Sequence, residues 1–407
     1  MRVLLVSPYH GGSHAAWALG LQRCSEHDIE LLTLPDRFWK WRMHGGAATL
    51  ARRFLAAHKA DDGPPDVILA TDMLDLTTFL AVTRSVTAST PAVLYMHENQ
   101  LTYPLPADAD TGPMRRQMGE RDQHYAFINF ASMLAADRIV FNSSFHHDAW
   151  FAELPPFLRH FPEYNEAGSV DGLRAKSSVL PVGIDIDDSP SGASAAEGPD
   201  SAHTADHDDA TEPPLVIWNQ RWEYDKNPAE LVDALREVAA RGIAFRLALC
   251  GQSYSKASSA LEGARSSLRR QLIHFGYAEA DHYRRLLASA DVTVSTAHHE
   301  FFGIGVLEAM AYGAFAVLPD RLNYPALVQG DDISEATRQR CLYGSHEELV
   351  DKLSWALEDT DAARTAGREL QANARRFAWP RVAPTYDGLL REVNQALSCG
   401  NSPFRRQ

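Results

Sequence analysis

Short apolar runs rich in β-branched residues recur along the first half of the chain, and each is followed by polar or glycine-containing residues. They predict strands at residues 2–7, 66–70, 92–96 and 138–142. The longer stretches between them have the length and composition of helices, an alternation typical of parallel βαβ units. The first half is therefore predicted to fold as a parallel sheet with helices packed on it.

The same alternation begins again near residue 215. It predicts five more strands, at residues 215–218, 245–249, 272–275, 292–295 and 315–318, with helices such as 229–241 between them. Since single cores rarely grow beyond about 250–300 residues, a chain of 407 residues is expected to form two domains. The predicted fold class is α/β, with two doubly wound sheets.

Composition places the boundary between the two domains. Residues 185–213 are rich in Ser, Ala, Gly, Asp and Pro, and up to residue 212 they hold nine acids and no Lys or Arg, out of a formal net charge of -14. We predict an N-terminal domain at 1–184, a solvated acidic insertion at 185–213, a second domain at 214–378 and a final helical segment at 379–407 that returns to the first domain. Asp185-Ile-Asp187 has the DxD pattern of metal-dependent sugar transferases, but it borders this low-complexity segment, so we assign no metal there.

The overall composition excludes several classes of protein. With 45% hydrophobic and 23% charged residues, and no apolar run near the roughly 20 residues that span a bilayer, a cytoplasmic protein without a membrane partner is expected. The first residues, MRVLLVSPYHGG, are better interpreted as a strand than as a signal peptide. The four cysteines lie far apart and indicate neither disulfides nor a zinc site. Net acidity argues only weakly against a polyanionic partner, because local basic patches decide phosphate attraction.

The richest segment for chemistry is 290–319, where a predicted strand is followed by HHEFFGIGVLEAM. Gly303 and Gly305 at the start of a helix allow backbone N–H groups to approach a phosphate, which the helix dipole favours. Glu300 lies in the loop, where it can address a sugar, and Glu308 lies on the helix, where it can accept hydrogen bonds from a ribose. The alternative is an ordinary helix cap followed by a solvated glutamate.

A second polar segment follows the strand predicted at 215–218. Ligands collect at such strand ends in open α/β sheets, and Arg221 and Lys226 together would neutralise a diphosphate. The alternative interpretation is a surface Arg and Lys that pair locally with Glu223 and Asp225.

In the first half, two strand ends carry polar residues. Gly11 and Gly12 follow the first strand and serve either a tight turn or the close approach of a ligand; their spacing is not GxGxxG, which disfavours a dinucleotide oxidoreductase. His97 ends the third predicted strand and is expected to face a reacting sugar. Asn142, at the end of the next strand, either binds an acceptor or belongs to a helix cap.

The combination of the Gly-Gly loop, His97, Arg221 with Lys226, and Glu300 with Glu308 as E-x7-E resembles retaining glycosyltransferase family 4. That resemblance covers nearly the whole chain and implies a GT-B fold, in which two Rossmann-like domains face an interdomain cleft. Longer stretches are similar to the tRNA-queuosine mannosyltransferase family in both halves: TLPDRFWKWR at 33–42, MHENQLTYP at 96–104, ERDQHYAFINF at 120–130, RWEYDKNP at 221–228 and HEFFGIGVLEA at 299–309.

The resemblance implies transfer of mannose from GDP-mannose to the cyclopentene diol of queuosine in the anticodon of tRNA (tRNA-Asp type), with retained stereochemistry and no required cofactor or metal. It also assigns roles to residues. The catalytic group would be His97, Arg221, Lys226 and Glu300. The donor would be bound by Gly11, Gly12, Asn219, Phe301, Phe302, Gly303, Ile304 and Glu308. The acceptor would be bound by His14, Trp39, Trp41, Arg42, Glu98, Asn99, Gln100, Arg115, Arg116, Arg121 and Asn142.

Two rival functions stay open at this point. One is a family 4 glycosyltransferase that uses another nucleotide sugar and a lipid, polysaccharide or small-molecule acceptor. The other is a nucleotide-sugar or RNA-binding protein without turnover, against which the intact Glu300, Glu308, Arg221 and Lys226 argue.

Trp39 and Trp41 also have two possible roles. Both could stack on an exposed anticodon base, or, because they are two positions apart, one of them could belong to the core. The acidic insertion would repel RNA if it lay near the acceptor.

Overall fold

A computed structural model describes residues 1–59, 61–103, 113–186, 212–251 and 259–398 of the chain. These residues form two compact units. The first unit comprises Met1–Ile184, His299–Ile304 and the residues from 376 onward, and the second comprises Asp185–His298 and Gly305–Arg375. The short segment His299–Ile304 was predicted as part of the later domain, but its packing counts it with the first unit. Most of the predicted acidic insertion, residues 187–211, lies outside the described residues.

The first unit is built on a parallel sheet with the strand order β2-β1-β3-β4-β5-β6. Its strands are β1 (Arg2–His10), β2 (Asp28–Pro35), β3 (Val67–Thr71), β4 (Ala92–Met96), β5 (Arg138–Phe141) and β6 (Ser177–Val179). Its helices up to residue 175 are α1 (Gly12–Cys24), α2 (Trp39–Trp41), α3 (Ala47–Ala57), α4 (Leu76–Thr87), α5 (Pro113–Ala135), α6 (Ser144–Arg159) and α7 (Val170–Ala175). A π-helical turn at Arg42–Gly46 joins α2 to α3.

The second unit has a parallel sheet with the order β12-β11-β10-β7-β8-β9. Its strands are β7 (Leu215–Asn219), β8 (Arg246–Cys250), β9 (Leu272–Gly276), β10 (Val292–Val294), β11 (Phe315–Pro319) and β12 (Leu342–Tyr343). Its helices are α8 (Pro228–Ala240), α9 (Ser259–Ser267), α10 (Ala280–Ser289), α11 (Ile304–Ala311), α12 (Tyr324–Leu327), α13 (Glu335–Cys341), α14 (His346–Glu358) and α15 (Thr360–Ala374).

The predicted strands are all present, with ends within about three residues of the predicted ones. Strands β3 and β4 are buried along their whole length, as expected for parallel strands that are covered on both faces. Strands β2, β6 and β12 were not predicted. Each lies at the edge of its sheet; β2 alternates exposed and buried residues, and β6 and β12 have only three and two residues. Short or half-exposed edge strands carry too weak an apolar signal to be recognised.

The strand order fixes where each sheet can bind a ligand. In a doubly wound sheet, ligands bind outside the carboxyl ends of the strands at the point where the direction of winding reverses. This point lies between β1 and β3 in the first sheet and between β7 and β10 in the second. The candidate site residues are therefore those that follow these four strands and those that follow β4 and β5, the next strands of the first sheet.

The last helix, α16 (Trp379–Ser398), packs on α1 of the first unit. Trp17 Nε1 donates a hydrogen bond to the Tyr386 hydroxyl at 3.1 Å. The buried indole of Trp379 lies close to two glycines. A Cβ would be 2.0 Å from its ring atoms at Gly20 and 2.3 Å from them at Gly183. The start of α16 is thus held on the first unit by close packing of Trp379 against two glycines.

Candidate functional site

His97 follows β4 at the carboxyl edge of the first sheet, and its ring is buried. The ring centroid is 4.3 Å from that of His14 and 4.7 Å from those of Trp17 and Tyr95. Burial, followed by the charges of His14 and His146, holds the pKa of His97 well below its usual value. The imidazole is therefore neutral at pH 7, and its Nε2 has no hydrogen-bond partner within the described part of the chain. A neutral ring of this kind offers one donor and one acceptor nitrogen to an uncharged hydroxyl-bearing ligand.

Asp72, which follows β3, fixes the backbone at His97. Its Oδ1 accepts a hydrogen bond from the His97 amide at 3.0 Å, and its backbone carbonyl accepts one from Asn129 Nδ2 at 2.8 Å. Burial, and then the charge of Glu98, raise the pKa of the Asp72 carboxyl well above its usual value. Asp72 was not predicted as a site residue, although it follows a predicted strand, as His97 does.

Asn142 and His146 extend this network from the end of β5. Asn142 Nδ2 donates to the His97 carbonyl at 2.9 Å, and its Oδ1 accepts from His146 Nδ1 at 2.9 Å. Burial keeps the pKa of His146 well below its usual value, so this ring is neutral as well. Both polar groups of Asn142 thus have partners inside the protein, and the cap of α6 comes from the next residue, Ser143. Asn142 positions His97, and its role in acceptor binding stays a prediction.

The segment His299–Ile304 is held against the first unit through Phe301. The Ser143 hydroxyl donates to the Phe301 carbonyl at 2.5 Å, and the His146 ring stacks on the Phe301 ring with centroids 3.9 Å apart. Glu300 Oε1 accepts from the amides of Phe301 and Phe302 at 3.1 Å and 3.3 Å. The loop is thus held at Phe301 before it reaches Gly303, whose φ of +97° favours glycine, and Ile304, the first residue of α11.

The Gly11-Gly12 turn connects β1 to α1. Gly12 has a φ of +51°, and a Cβ on Gly11 would lie 2.0 Å from Asp36 Oδ2. The N-cap residue of α1 is Gly11, which has no side chain that could accept a hydrogen bond from the first N–H groups of the helix. The two glycines are required by the turn and by the close approach of Asp36, and the same geometry leaves backbone N–H groups at the helix start for a ligand.

In the second unit, three polar side chains form a chain of hydrogen bonds. Asn219, at the end of β7, donates through Nδ2 to the Tyr283 hydroxyl at 2.8 Å and to the Gly305 carbonyl at 2.7 Å. The Tyr283 hydroxyl donates to Glu308 Oε2 at 2.7 Å. Burial raises the pKa of the Glu308 carboxyl to about 7, against the lowering effect of the Tyr283 hydrogen bond. Glu308 is therefore about half ionised at neutral pH, and Tyr283, on α10, had no recognisable signal in the sequence.

Gly305 allows α11 to begin directly against β7. A Cβ at this position would be 2.4 Å from the Asn219 carbonyl oxygen, a contact that no side chain can make without moving the backbone. Gly305 is thus required by helix–strand packing, and the approach of a phosphate to the N–H groups near Gly303 and Gly305 stays a prediction. This packing places the start of α11 at the point where the second sheet reverses its winding.

The two predicted cations differ in their surroundings. Arg221 is exposed, whereas Lys226 is buried with its Nζ 3.2 Å from Asp225 Oδ2. The Thr296 hydroxyl lies 2.9 Å from the carbonyls of Lys226 and Asn227, which ties this loop to the end of β10. The pairing with Asp225 that the alternative interpretation expected is present at Lys226, but Lys226 is buried and does not lie on the surface. The role of both cations in diphosphate binding stays a prediction.

The remaining predicted acceptor residues are distributed around the edge of the first sheet. Trp39 is half-buried with its ring 5.3 Å from Tyr125, whereas Trp41 is 65% exposed, so one tryptophan of the pair packs inside. Asn99 Oδ1 accepts from the amides of Leu101 and Thr102 and shapes its own turn. Among the others, Arg42 donates through Nε to the Pro35 carbonyl, His14 is buried, and Glu98 and Gln100 are half-buried. The side chains of Arg115, Arg116 and Arg121 lie outside the described residues.

Neither a metal-binding cluster nor a membrane-spanning helix occurs among the described residues. Across these ranges, no cluster of three or more His, Cys, Asp or Glu side chains is arranged to hold a metal ion. In the same part of the chain, no helix has both the length and the apolar composition needed to cross a membrane.

Comparison with known proteins identifies the family. Residues 2–184 match the family model described as tRNA-queuosine alpha-mannosyltransferase N-terminal, and residues 201–376 match the model of glycosyl transferases group 1. The tRNA-queuosine alpha-mannosyltransferase of Drosophila melanogaster is 31% identical over 333 residues, which cover 81% of this chain and 82% of that protein. The chain belongs to the tRNA-queuosine alpha-mannosyltransferase family. As a member of this family with a group 1 glycosyl transferase domain, it is a glycosyltransferase, as the sequence predicted.

Solved structures show the fold of this queuosine mannosyltransferase family member. Sucrose-phosphate synthase from Thermosynechococcus elongatus superposes with a TM-score of 0.65 at 14% identity and covers 97% of this chain and 100% of that chain. HepE from Anabaena in complex with UDP gives a TM-score of 0.62 at 16% identity and covers 96% and 100%. At this level of identity the likeness concerns the fold alone, and it confirms the predicted GT-B fold.

Proposed function

We propose that this chain transfers mannose from GDP-mannose to the cyclopentene diol of queuosine in tRNA, with retention of configuration at the transferred carbon. The observation that carries the proposal is the match with the Drosophila enzyme, which extends over both units of the chain. The polar residues at the winding reversals of the two sheets support it, since they supply the kinds of groups that a nucleotide sugar needs.

The second unit supplies groups for the nucleotide. We assign Arg221 and Lys226 to the diphosphate, because positive charge placed in advance stabilises the charge that grows on the leaving group. Backbone N–H groups near Gly303 at the start of α11 would add to this stabilisation. We assign Glu308 to the ribose hydroxyls, which donate best to an ionised carboxylate. Its bond to Tyr283 orients the carboxylate through Oε2 and leaves Oε1 for this purpose.

The first unit supplies groups for the sugar. We assign His97 to a sugar hydroxyl near the reacting carbon, because its neutral ring can donate or accept without placing a charge there. We assign Glu300, with Phe301, Phe302 and Gly303, to the donor sugar. In the transfer, the bond between the sugar carbon and the diphosphate oxygen breaks, and a bond to the acceptor oxygen forms on the same face. The proton of the acceptor hydroxyl passes to the departing phosphate oxygen.

This assignment needs no metal ion, since Arg221 and Lys226 provide the positive charge for the diphosphate. If so, chelation with EDTA leaves the initial rate of mannose transfer unchanged. A loss of activity that returns on addition of Mg²⁺ or Mn²⁺ would overturn this part of the proposal.

A transfer assay tests the acceptor. The protein is incubated with labelled GDP-mannose and with matched tRNA that contains or lacks queuosine, and label in the tRNA is measured. We expect label only in the queuosine-containing tRNA. Equal labelling of both, or none in either, rejects this acceptor. Calorimetric titration with GDP, UDP and ADP tests the donor base, for which we expect GDP to bind most tightly.

A further inference from the structure

An exposed aromatic and basic surface lies beside the Gly11-Gly12 turn. Phe38 is 79% exposed and Trp41 is 65% exposed, unusual values for two large aromatic side chains only three positions apart. Residues 36–53 contain five Lys or Arg and only one acid, in a chain whose net charge is -14. We call Arg37, Phe38, Lys40, Trp41 and Arg42 the aromatic-basic surface.

The backbone holds these side chains outward in an uncommon conformation. Phe38 has a φ of 56°, in the left-handed region that bulky residues rarely adopt. Trp41 leads into the π-helical turn at Arg42–Gly46, a form of helix often found at functional sites. The Trp41 ring lies close over Gly45, where a Cβ would be 2.9 Å from ring atoms. Phe38 is therefore presented by a specific backbone conformation, and the Trp41 ring packs against Gly45.

The surface adjoins the candidate site through direct contacts. Asp36, which precedes it, lies against the Gly11 backbone, and Gly46, which follows it, lies against the Pro8 side chain of β1. Trp39, between the two exposed rings in sequence, packs on Tyr125 in a small cluster that also includes Tyr9 and Met73, residues that stand at the ends of β1 and β3. The aromatic-basic surface thus stands at the carboxyl edge of the first sheet, where His97 also lies.

We propose that the aromatic-basic surface binds a single-stranded loop of RNA, with bases stacked on Phe38 and Trp41 and phosphates near Arg37, Lys40 and Arg42. Planar exposed rings interleaved with cations are the combination that recognises unpaired nucleotides, because every base has a face for stacking and every phosphate a negative charge. The proposal rests on the proposed function and names Phe38 and Arg37 as further acceptor residues.

Tyr164 provides a matched control within the same unit. It is also aromatic, 89% exposed and left-handed in its backbone, with a φ of 47°. Its neighbours Glu163 and Glu166 are acidic, whereas those of Phe38 are basic. Exposure and backbone conformation are thus shared by the two sites, and the sign of the surrounding charge differs.

The experiment compares Phe38→Ala/Trp41→Ala with Tyr164→Ala. Binding of transcribed tRNA without queuosine is measured by fluorescence anisotropy at two salt concentrations, and GDP binding is measured by calorimetry. We expect the double variant to bind tRNA roughly 10- to 100-fold more weakly, from the loss of stacked bases, with GDP affinity and melting temperature unchanged. Tyr164→Ala should bind tRNA as the wild type does. Arg37→Ala should lower the slope of log affinity against log salt by about 0.7.

Three outcomes would reject the proposed RNA-binding role of this surface. They are wild-type RNA affinity in the double variant, an equal loss of RNA affinity in Tyr164→Ala, and a change in self-association of the protein without a change in RNA affinity. The outcome separates this inference from the proposed function. If the double variant binds RNA normally while the wild type still mannosylates queuosine-containing tRNA, the surface is wrong and the function stands. If RNA binding depends on the surface but no mannose is transferred, the surface stands and the proposed reaction fails.

Discussion

The carboxyl edges of the two sheets follow the same topological rule but carry opposite chemistry. In the first unit, His97 and His146 are neutral and buried, and most of their polar neighbours are bonded inside the protein. In the second unit, Arg221 is an exposed cation, Lys226 pairs with Asp225, and the carboxyl of Glu308 has a pKa of about 7. Topology selects the place where a ligand binds, and the side chains select whether hydroxyls or phosphates are favoured there. The contrast predicts that charge changes matter most in the second unit and positioning changes in the first.

Removal of the cations should have the largest effect. We expect Arg221→Ala to lower kcat by about a hundredfold or more, because a group that stabilises the leaving diphosphate is lost. Lys226→Met should act similarly and keeps the volume of the buried side chain, but it leaves the buried Asp225 without its ion-pair partner, so a lower melting temperature is expected as well. The readout is the initial rate of mannose transfer at saturating donor, with melting temperature as the check on folding.

Arg236→Ala is the matched control, since Arg236 lies on the exposed face of α8 with Asp233 as its partner. It should leave kcat unchanged. If Arg221→Ala and Lys226→Met retained wild-type kcat while folded, the assignment of charge stabilisation to the second unit would be wrong.

Gly305→Ala tests the packing that places α11. The added Cβ meets the Asn219 carbonyl at 2.4 Å, so the start of the helix must shift, at a cost of about 1–3 kcal/mol in the free energy of unfolding. GDP affinity, measured by calorimetry, should fall more than tenfold. Gly388→Ala on α16, where an added Cβ meets open space, serves as the control: it should leave GDP affinity unchanged and stabilise the protein by up to about 1 kcal/mol, the ordinary effect of Gly→Ala in a helix.

The pKa of Glu308 predicts a pH dependence of nucleotide binding. Between pH 6 and pH 8 the ionised fraction of a carboxyl with a pKa of about 7 rises from about 10% to about 90%, so GDP affinity should gain a factor of up to about ten. Glu308→Gln should lose this gain, and comparison of the two proteins cancels the titration of the GDP phosphate itself. A parallel pH profile in wild type and Glu308→Gln would remove Glu308 from nucleotide binding.

The same pKa predicts the opposite trend for stability. Because the pKa of Glu308 is higher in the folded protein than in the unfolded chain, its contribution to stability is present at low pH and is lost as pH rises from about 4.5 through 7. The difference in melting temperature between Glu308→Gln and wild type should therefore shift in favour of the glutamine variant from pH 5 to pH 8.

The smallest effect is expected from Ser143. Ser143→Ala removes the hydrogen bond to the Phe301 carbonyl and also the side-chain cap of α6, so the loop that carries Glu300 is held less firmly and the start of the helix is weakened. We expect kcat to fall by about fivefold, the equivalent of one ordinary hydrogen bond, with little change in the KM for tRNA. Ser143→Thr keeps the hydroxyl and should recover most of the rate. Equal loss in both variants would indicate a general effect on α6.

Several residues show how far sequence reasoning reached at the site. Gly12 and His97 were singled out because each follows a predicted strand, and strand ends can be recognised from apolar runs. Asn219 was assigned through the family resemblance, and the ligand-binding roles of all three residues stay predictions. Asp72 stands in an equivalent place and could have been found by the same rule. His146, one turn of helix after Asn142, and Tyr283, on a helix far from Glu308 in sequence, acquire their contacts only through folding.

The sequence by itself determined the two parallel sheets and the set of polar residues at their carboxyl ends, because alternation of buried strands and amphipathic helices is a local property of the chain. Only the tertiary structure decided the state of those residues. It buried His97 and raised the pKa of Glu308, placed Lys226 beside Asp225, and attached His299–Ile304 to the first unit through Phe301. Burial and pairing between residues distant in sequence arise from packing, which no local pattern encodes.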